Sequence, residues 1–277
     1  MESGLLTIPR PNIYVLGTVH LGSESAEEAS LLIEWSKANS VIAEIPPSRM
    51  KRIIRNSINQ KDDDVKQLNN NPRQQQQQLN FFPTIFALAE RGWESGGLGG
   101  LVFSVVVLGG SLWKRSFSFE EEADTLPRKD EFEAAIRSAD AMNATVIAAD
   151  YELDDLIRLA SERISIKGWF SLATSTLAES IGLRSPDPIR RMPNESVVDW
   201  YGRRRNIETS RASQRHAEES CLEFSKLLVN ARDDKFVECC NKALSSNTTN
   251  DTITDDTTTL CVIVGLVHLD GVTERLR

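Results

Sequence analysis

The chain has 277 residues, 40% hydrophobic and 26% charged, which is enough for a sizeable buried core in one large domain or two small ones. Its net charge of -8 would on average repel a phosphate backbone, so nucleic acid is excluded as a default partner. The four cysteines, Cys221, Cys239, Cys240 and Cys261, include no C-x-x-C pair, and no apolar stretch precedes Pro9 and Pro11. These features predict no secretory signal and an intracellular protein with reduced thiols, cytoplasmic or associated with an organelle membrane.

In chain order, the first buried strand is expected over Ile13–Leu16, running into Gly17-Thr18-Val19-His20. A helix is expected over Ser25–Ala38, with Ser25 and Glu28 spaced as a capping box. The apolar run Ser40–Ala43 predicts a second strand that ends directly at Glu44. Residues 59–80 are polar and compositionally biased, and predict a disordered surface insertion. The uncharged run Gly96–Trp113 reaches the lower edge of membrane-spanning length, but its six glycines favour a buried or peripherally docked segment, with membrane association through 96–113 left open.

A second helix is expected over Asp130–Met142, followed by a strand over Thr145–Ala148 that leads to Asp150. The stretch from Arg190 to Gln214, with Arg203, Arg204 and Arg205 in a row, reads as a solvated face or loop, and so does the surround of His216. A second polar insertion covers residues 245–259, and the last strand is expected over Leu260–Val264. Strands alternating with helices predict an α/β fold, a mainly parallel sheet with covering helices in a single domain over residues 1–277, interrupted by the two insertions.

Two of the three histidines sit in near copies of one context, Val15-Leu16-Gly17-Thr18-Val19-His20-Leu21 and Ile263-Val264-Gly265-Leu266-Val267-His268-Leu269. In a parallel sheet, groups just past the carboxyl ends of strands converge on one rim, which makes His20, His268, Glu44 and Asp150 candidate neighbours. Two imidazoles with one or two carboxylates suit a divalent metal ion such as Zn, Mn, Co or Fe, and a spare carboxylate suits general-base work. The competing structural roles are a helix N-cap for Asp150 and a surface ion pair for Glu44.

With these residues in place, the chain resembles the TraB/PrgY family, itself similar to the Tiki-type Wnt metalloproteases. Gly17-Thr18-Val19-His20 with Ser23 and Ser25, then Val41-Ile42-Ala43-Glu44 with Arg49, resembles its opening signature. Asp130-Glu131-Phe132-Glu133-Ala134-Ala135 through to Asp150 resembles its glutamate helix and the strand that follows. Arg232-Asp233 resembles its Glu-Arg-Asp motif, and Val262 to Val272 resembles its closing G-x-G-H-x-x-G-I signature. Tyr151, Ala231 and Val267 depart from the family's arginine, glutamate and glycine at those places. The resemblance implies a metal-dependent hydrolase, peptidase-like, acting on a peptide or protein substrate. It assigns His20 and His268 as metal ligands, Glu44 as ligand or base, Glu131 as a second acid and Arg232 as a clamp on an oxyanion or carboxylate. A second implication stays open: a non-catalytic regulatory, peptide-binding or membrane-contact protein that retains the fold.

Overall fold

The computed structural model describes residues 5–19, 23–63, 81–104, 130–192, 194–246 and 258–277. Five strands, β1 (Leu6–Arg10), β2 (Ile13–Thr18), β3 (Ser40–Ala43), β4 (Thr145–Ala148) and β5 (Leu260–Gly265), form one sheet in the order β1-β2-β5-β3-β4. The last four are mutually parallel, and β1 pairs antiparallel with β2 at the edge. The described helices are α1 (Glu24–Ser36), α2 (Pro47–Asp63), α3 (Phe81–Phe103), α4 (Glu131–Ala141), α5 (Leu153–Arg163), α6 (Ile166–Ser180), α7 (Val197–Arg204), α8 (Ile207–Ser220), α9 (Leu222–Ser225), α10 (Ala231–Ser246) and α11 (Leu269–Leu276). The chain is thus α/β, with a mainly parallel sheet.

Each strand expected from the sequence forms where its apolar run lies; β2, β3 and β5 are buried almost throughout, as strands covered on both faces select continuous Val, Ile, Leu and Ala, whereas β4 at the sheet edge has no buried position. β5 is central and buried at every position. Its register aligns Gly17 with Val264 and Ala43 with Ile263, so β2, β3 and β5 end nearly level. β1 escaped prediction because it is short and contains Pro9, a residue tolerated on an edge. Thr7 Oγ1 on β1 meets Thr273 Oγ1 on α11 at 2.6 Å.

The expected capping box does not form. Ser23 takes the N-cap position of α1, Ser25 is buried within the helix, and Glu28 accepts from Arg205 at 2.5 Å rather than reaching back to the cap. Asp130, by contrast, caps α4, its Oδ1 accepting from Phe132 N at 3.0 Å and Glu133 N at 3.3 Å.

The described residues divide into two compact units. The first contains the whole sheet with α1, α4 and everything from Arg163 onward. The second holds the described residues from Pro46 to Ser104 with Glu152–Glu162. Within this second unit, Glu152 accepts from Ser48 N and Ser48 Oγ, each at 2.7 Å, at the start of α2. The helix α3 kinks at Gly96 and Gly97 and folds back, so that Gly92 lies against Gly100 while Gly96 and Gly99 lie against Ser161. Gly96, Gly99 and Gly100 of the 96–113 run therefore serve close approach, which a Cβ would block. Among the described residues no helix is long and apolar enough to cross a membrane. Residues 105–113 of that run lie outside the described residues, as do 64–80 and 247–257, the bulk of the two polar insertions.

The arginine run is not simply a solvated face. Arg203 forks onto Glu195 at 2.8 and 2.7 Å and also donates to the carbonyls of Pro188 and Arg190, and this holds the Glu195 carboxyl down to about 2. His216 likewise departs from expectation, being half-buried with Nε2 3.8 Å from Glu179 Oε2. Arg203 is thus claimed by tertiary partners, whereas His216 Nε2 is buried beside Glu179 with no hydrogen-bond partner among the described residues.

Candidate active site at the carboxyl rim of the sheet

A helix that precedes a parallel strand runs against it, so its first turn lies at the end of the sheet where the strands terminate. By this rule the N-termini of α1, α4 and α10 share a rim with the carboxyl ends of β2, β3, β4 and β5. Glu44 stands one residue past β3, Asp150 two past β4 and His268 three past β5. Arg232 and Asp233 stand on the first turn of α10, directly after a π-helical segment, Lys226–Asn230, of the kind that often marks functional sites.

Consecutive helical residues project about 100° apart, so Arg232 and Asp233 serve different neighbours. Arg232 reaches the two carboxylates: Nε to Asp150 Oδ1 at 2.8 Å, Nη2 to Asp150 Oδ2 at 2.6 Å and Nη2 to Glu44 Oε1 at 2.5 Å. Burial alone would lower the pKa of this guanidinium, but Glu44 and Asp150 together raise it above the ordinary value, fixing a permanent cation between them. The other Glu44 oxygen, Oε2, accepts from the backbone N–H of Gly265 at the end of β5. Lys235 Nζ, one turn along α10, donates to Asp150 O at 2.9 Å and lies 3.9 Å from the centre of the Tyr151 ring. Burial pushes the Tyr151 phenol up.

Asp233 faces the other way. Its Oδ1 meets His268 Nδ1 at 2.7 Å, and its Oδ2 accepts from Arg275 Nη1 at 3.1 Å. A carboxylate only accepts, so the neutral imidazole carries its proton on Nδ1 and presents a lone pair at Nε2. That Nε2 is buried, has no hydrogen-bond partner among the described residues, and lies 3.5 Å from Glu44 Oε1. Phe236 packs edge-on against the ring with centroids 5.2 Å apart, closing its apolar side. Gly271 allows this arrangement, because a Cβ there would overlap Asp233 Oδ2.

No protein-family model matches the chain, and no curated protein matches it. The chemistry of the site is therefore carried by its geometry. Of the residues singled out in the sequence, Glu44, Asp150, Arg232 and His268 come together in one linked cluster. Glu131 is buried at the first turn of α4, at the same end of the sheet. His20 lies outside the described residues. Asp150 does not cap α5: both its oxygens accept from Arg232, and Oδ1 also accepts from Tyr151 N at 2.8 Å. Glu44 does form an ion pair, but a buried one rather than one on the surface.

Sequence reasoning passed over Asp233, Gly265 N–H and Lys235 as working parts. The signal for Asp233 was available, since it shares a first helical turn with Arg232 ahead of the last strand. The signal for the Gly265 amide was not, because any residue type supplies a backbone N–H.

Among the described residues, no group of three or more His, Cys, Asp or Glu side chains is arranged to hold a metal ion. The described donors that face each other are His268 Nε2 and Glu44 Oε1.

Proposed function

We propose that the rim cluster is the active site of a metal-dependent hydrolase, peptidase-like and of TraB/PrgY type, acting on a peptide or protein substrate. The observation that carries this reading is the buried, unpartnered Nε2 of His268 set 3.5 Å from Glu44 Oε1. An orphaned basic nitrogen facing a carboxylate is costly unless something positive or proton-bearing enters between them. The Asp233–His268 pair also has the form that orients metal-bound imidazoles, with the far nitrogen held by a carboxylate.

His268 Nε2 and Glu44 fit a divalent ion such as Zn, Mn, Co or Fe, with His20 and Asp150 as the further ligands the sequence nominates. Such an ion would polarise a substrate carbonyl and make a bound water acidic near neutral pH. The chain's own groups have separate tasks. Asp233 fixes the His268 tautomer. The Gly265 N–H and Arg232 hold the two Glu44 oxygens in place, so that this carboxylate is positioned to ligate or to accept a proton. Arg232 is the fixed cation for a developing oxyanion or a substrate carboxylate.

A second reading is a non-catalytic peptide-binding or regulatory protein that keeps this fold. It is favoured by the saturation of Asp150, whose oxygens both accept from Arg232. A ligand role for Asp150 requires that fork to open.

Metal content of the purified protein decides between the two readings. The hydrolase reading expects stoichiometric divalent metal in the wild type, lost in His268→Ala and kept in His216→Ala. Metal-free wild type after reconstitution, or full retention by His268→Ala, would overturn it and leave the peptide-binding reading.

A further inference from the structure

The helix α6 packs one side into its unit and leaves the opposite side bare. Gly168 and Leu172 are buried, whereas Ile166 is 89% exposed, Phe170 72%, Leu177 61% and Ile181, at the C-cap, 61%. At 100° per residue, Ile166, Phe170, Ala173, Leu177 and Ile181 fall within an arc of about 80°. Their spacing runs four, three, four and four, which keeps them on one face of the helix. The stripe is also a palindrome about the point between Ala173 and Thr174. Ile166 and Ile181 are equidistant from it, and so are Phe170 and Leu177.

We propose that this chain forms a two-fold symmetric dimer through α6, the two copies of the helix running antiparallel. A two-fold interface must be self-complementary, and the palindrome supplies that: Phe170 meets Leu177 of the second copy, Ile166 meets Ile181, and small Ala173 and Thr174 let the helices approach at the axis. No charged side chain interrupts the stripe, so nothing within it repels its own copy. With side chains of ~150–200 Å² each, the four large residues leave roughly 430–570 Å² bare per copy. That approaches the lower bound of ~600 Å² per partner for stable interfaces, and it lies in the upper part of the range a monomer leaves bare.

Sedimentation of the full chain tests the proposal, with a dimer mass expected for wild type. Phe170→Glu or Leu177→Lys alone should halve that mass. The double variant F170E/L177K should restore it, because each new acid then faces the new base of the other copy. Oxidative cross-linking checks the direction of the helices. Ala173→Cys lies at the axis and should give a linked dimer. Ile166→Cys should not, since its two copies would stand about 22 Å apart at 1.5 Å per residue. A wild-type monomer overturns the proposal, and if that monomer co-sediments with phosphatidylcholine–phosphatidylserine vesicles in an α6-dependent way, the occupant of the stripe is a lipid surface instead. Cross-linking of Ile166→Cys as efficient as that of Ala173→Cys overturns the antiparallel arrangement.

Discussion

Replacing Arg232 with methionine keeps a long flexible side chain over Phe236 but removes a cation shared by Glu44 and Asp150. Breaking a buried ion pair from one side typically costs about 3–5 kcal/mol, because the charge left behind has lost its water and gained nothing. Here the arginine and Asp150 side chains keep 19% and 16% exposure while Glu44 keeps 6%, so solvent relieves Asp150 more than Glu44. The expected cost is therefore near the lower bound, about 3 kcal/mol. At ~2–4 °C per kcal/mol for a chain of this size, Tm should fall by roughly 6–12 °C. Calorimetry at neutral pH measures this, with Arg232→Lys expected in between, since an ammonium keeps the charge but cannot fork onto two carboxylates. Adding Glu44→Gln to Arg232→Met should recover part of the loss, because the neutral amide no longer needs a cation. A fall under ~2 °C, or a double variant less stable than the sum of its parts, would refute the view that Arg232 holds the two acids together at the rim.

Glu195 offers a pH test, because Arg203 holds its carboxyl at about 2 against an ordinary 4.5. A depressed carboxylate stabilises the fold above 4.5, and that stability is lost as the pH falls towards 2. The Tm difference between wild type and Glu195→Gln should therefore be largest above pH 4.5 and close on acidification; a constant difference would deny the clasp. Gly271→Ala should destabilise by roughly 1–3 kcal/mol by overpacking against Asp233. It should also free the His268 Nδ1 proton to exchange faster, as read by imidazole proton NMR, and unchanged melting and exchange would count against the close approach.

The strands were legible because continuous apolar runs such as Val41-Ile42-Ala43 and Cys261-Val262-Ile263-Val264 are a local signal, as was the helix start at Asp130. Gly265 ahead of His268 marked where β5 hands over to the rim cluster. Parallel alternation by itself places Glu44, Asp150 and His268 at one rim, with His20, which lies outside the described residues, expected beside them. What the sequence could not determine was which partner each charged group would take. Arg232 had two acids within reach of its turn, Glu28 had a cap or Arg205, and His216 had water or Glu179. Such choices depend on side chains far apart in sequence, such as Asp233 and His268, or Glu44 and the amide of Gly265, meeting at hydrogen-bond distance. The periodicity of the chain determines which way a residue faces, because backbone geometry is local; only the packing of α10 against β3 and α11 decides what it faces.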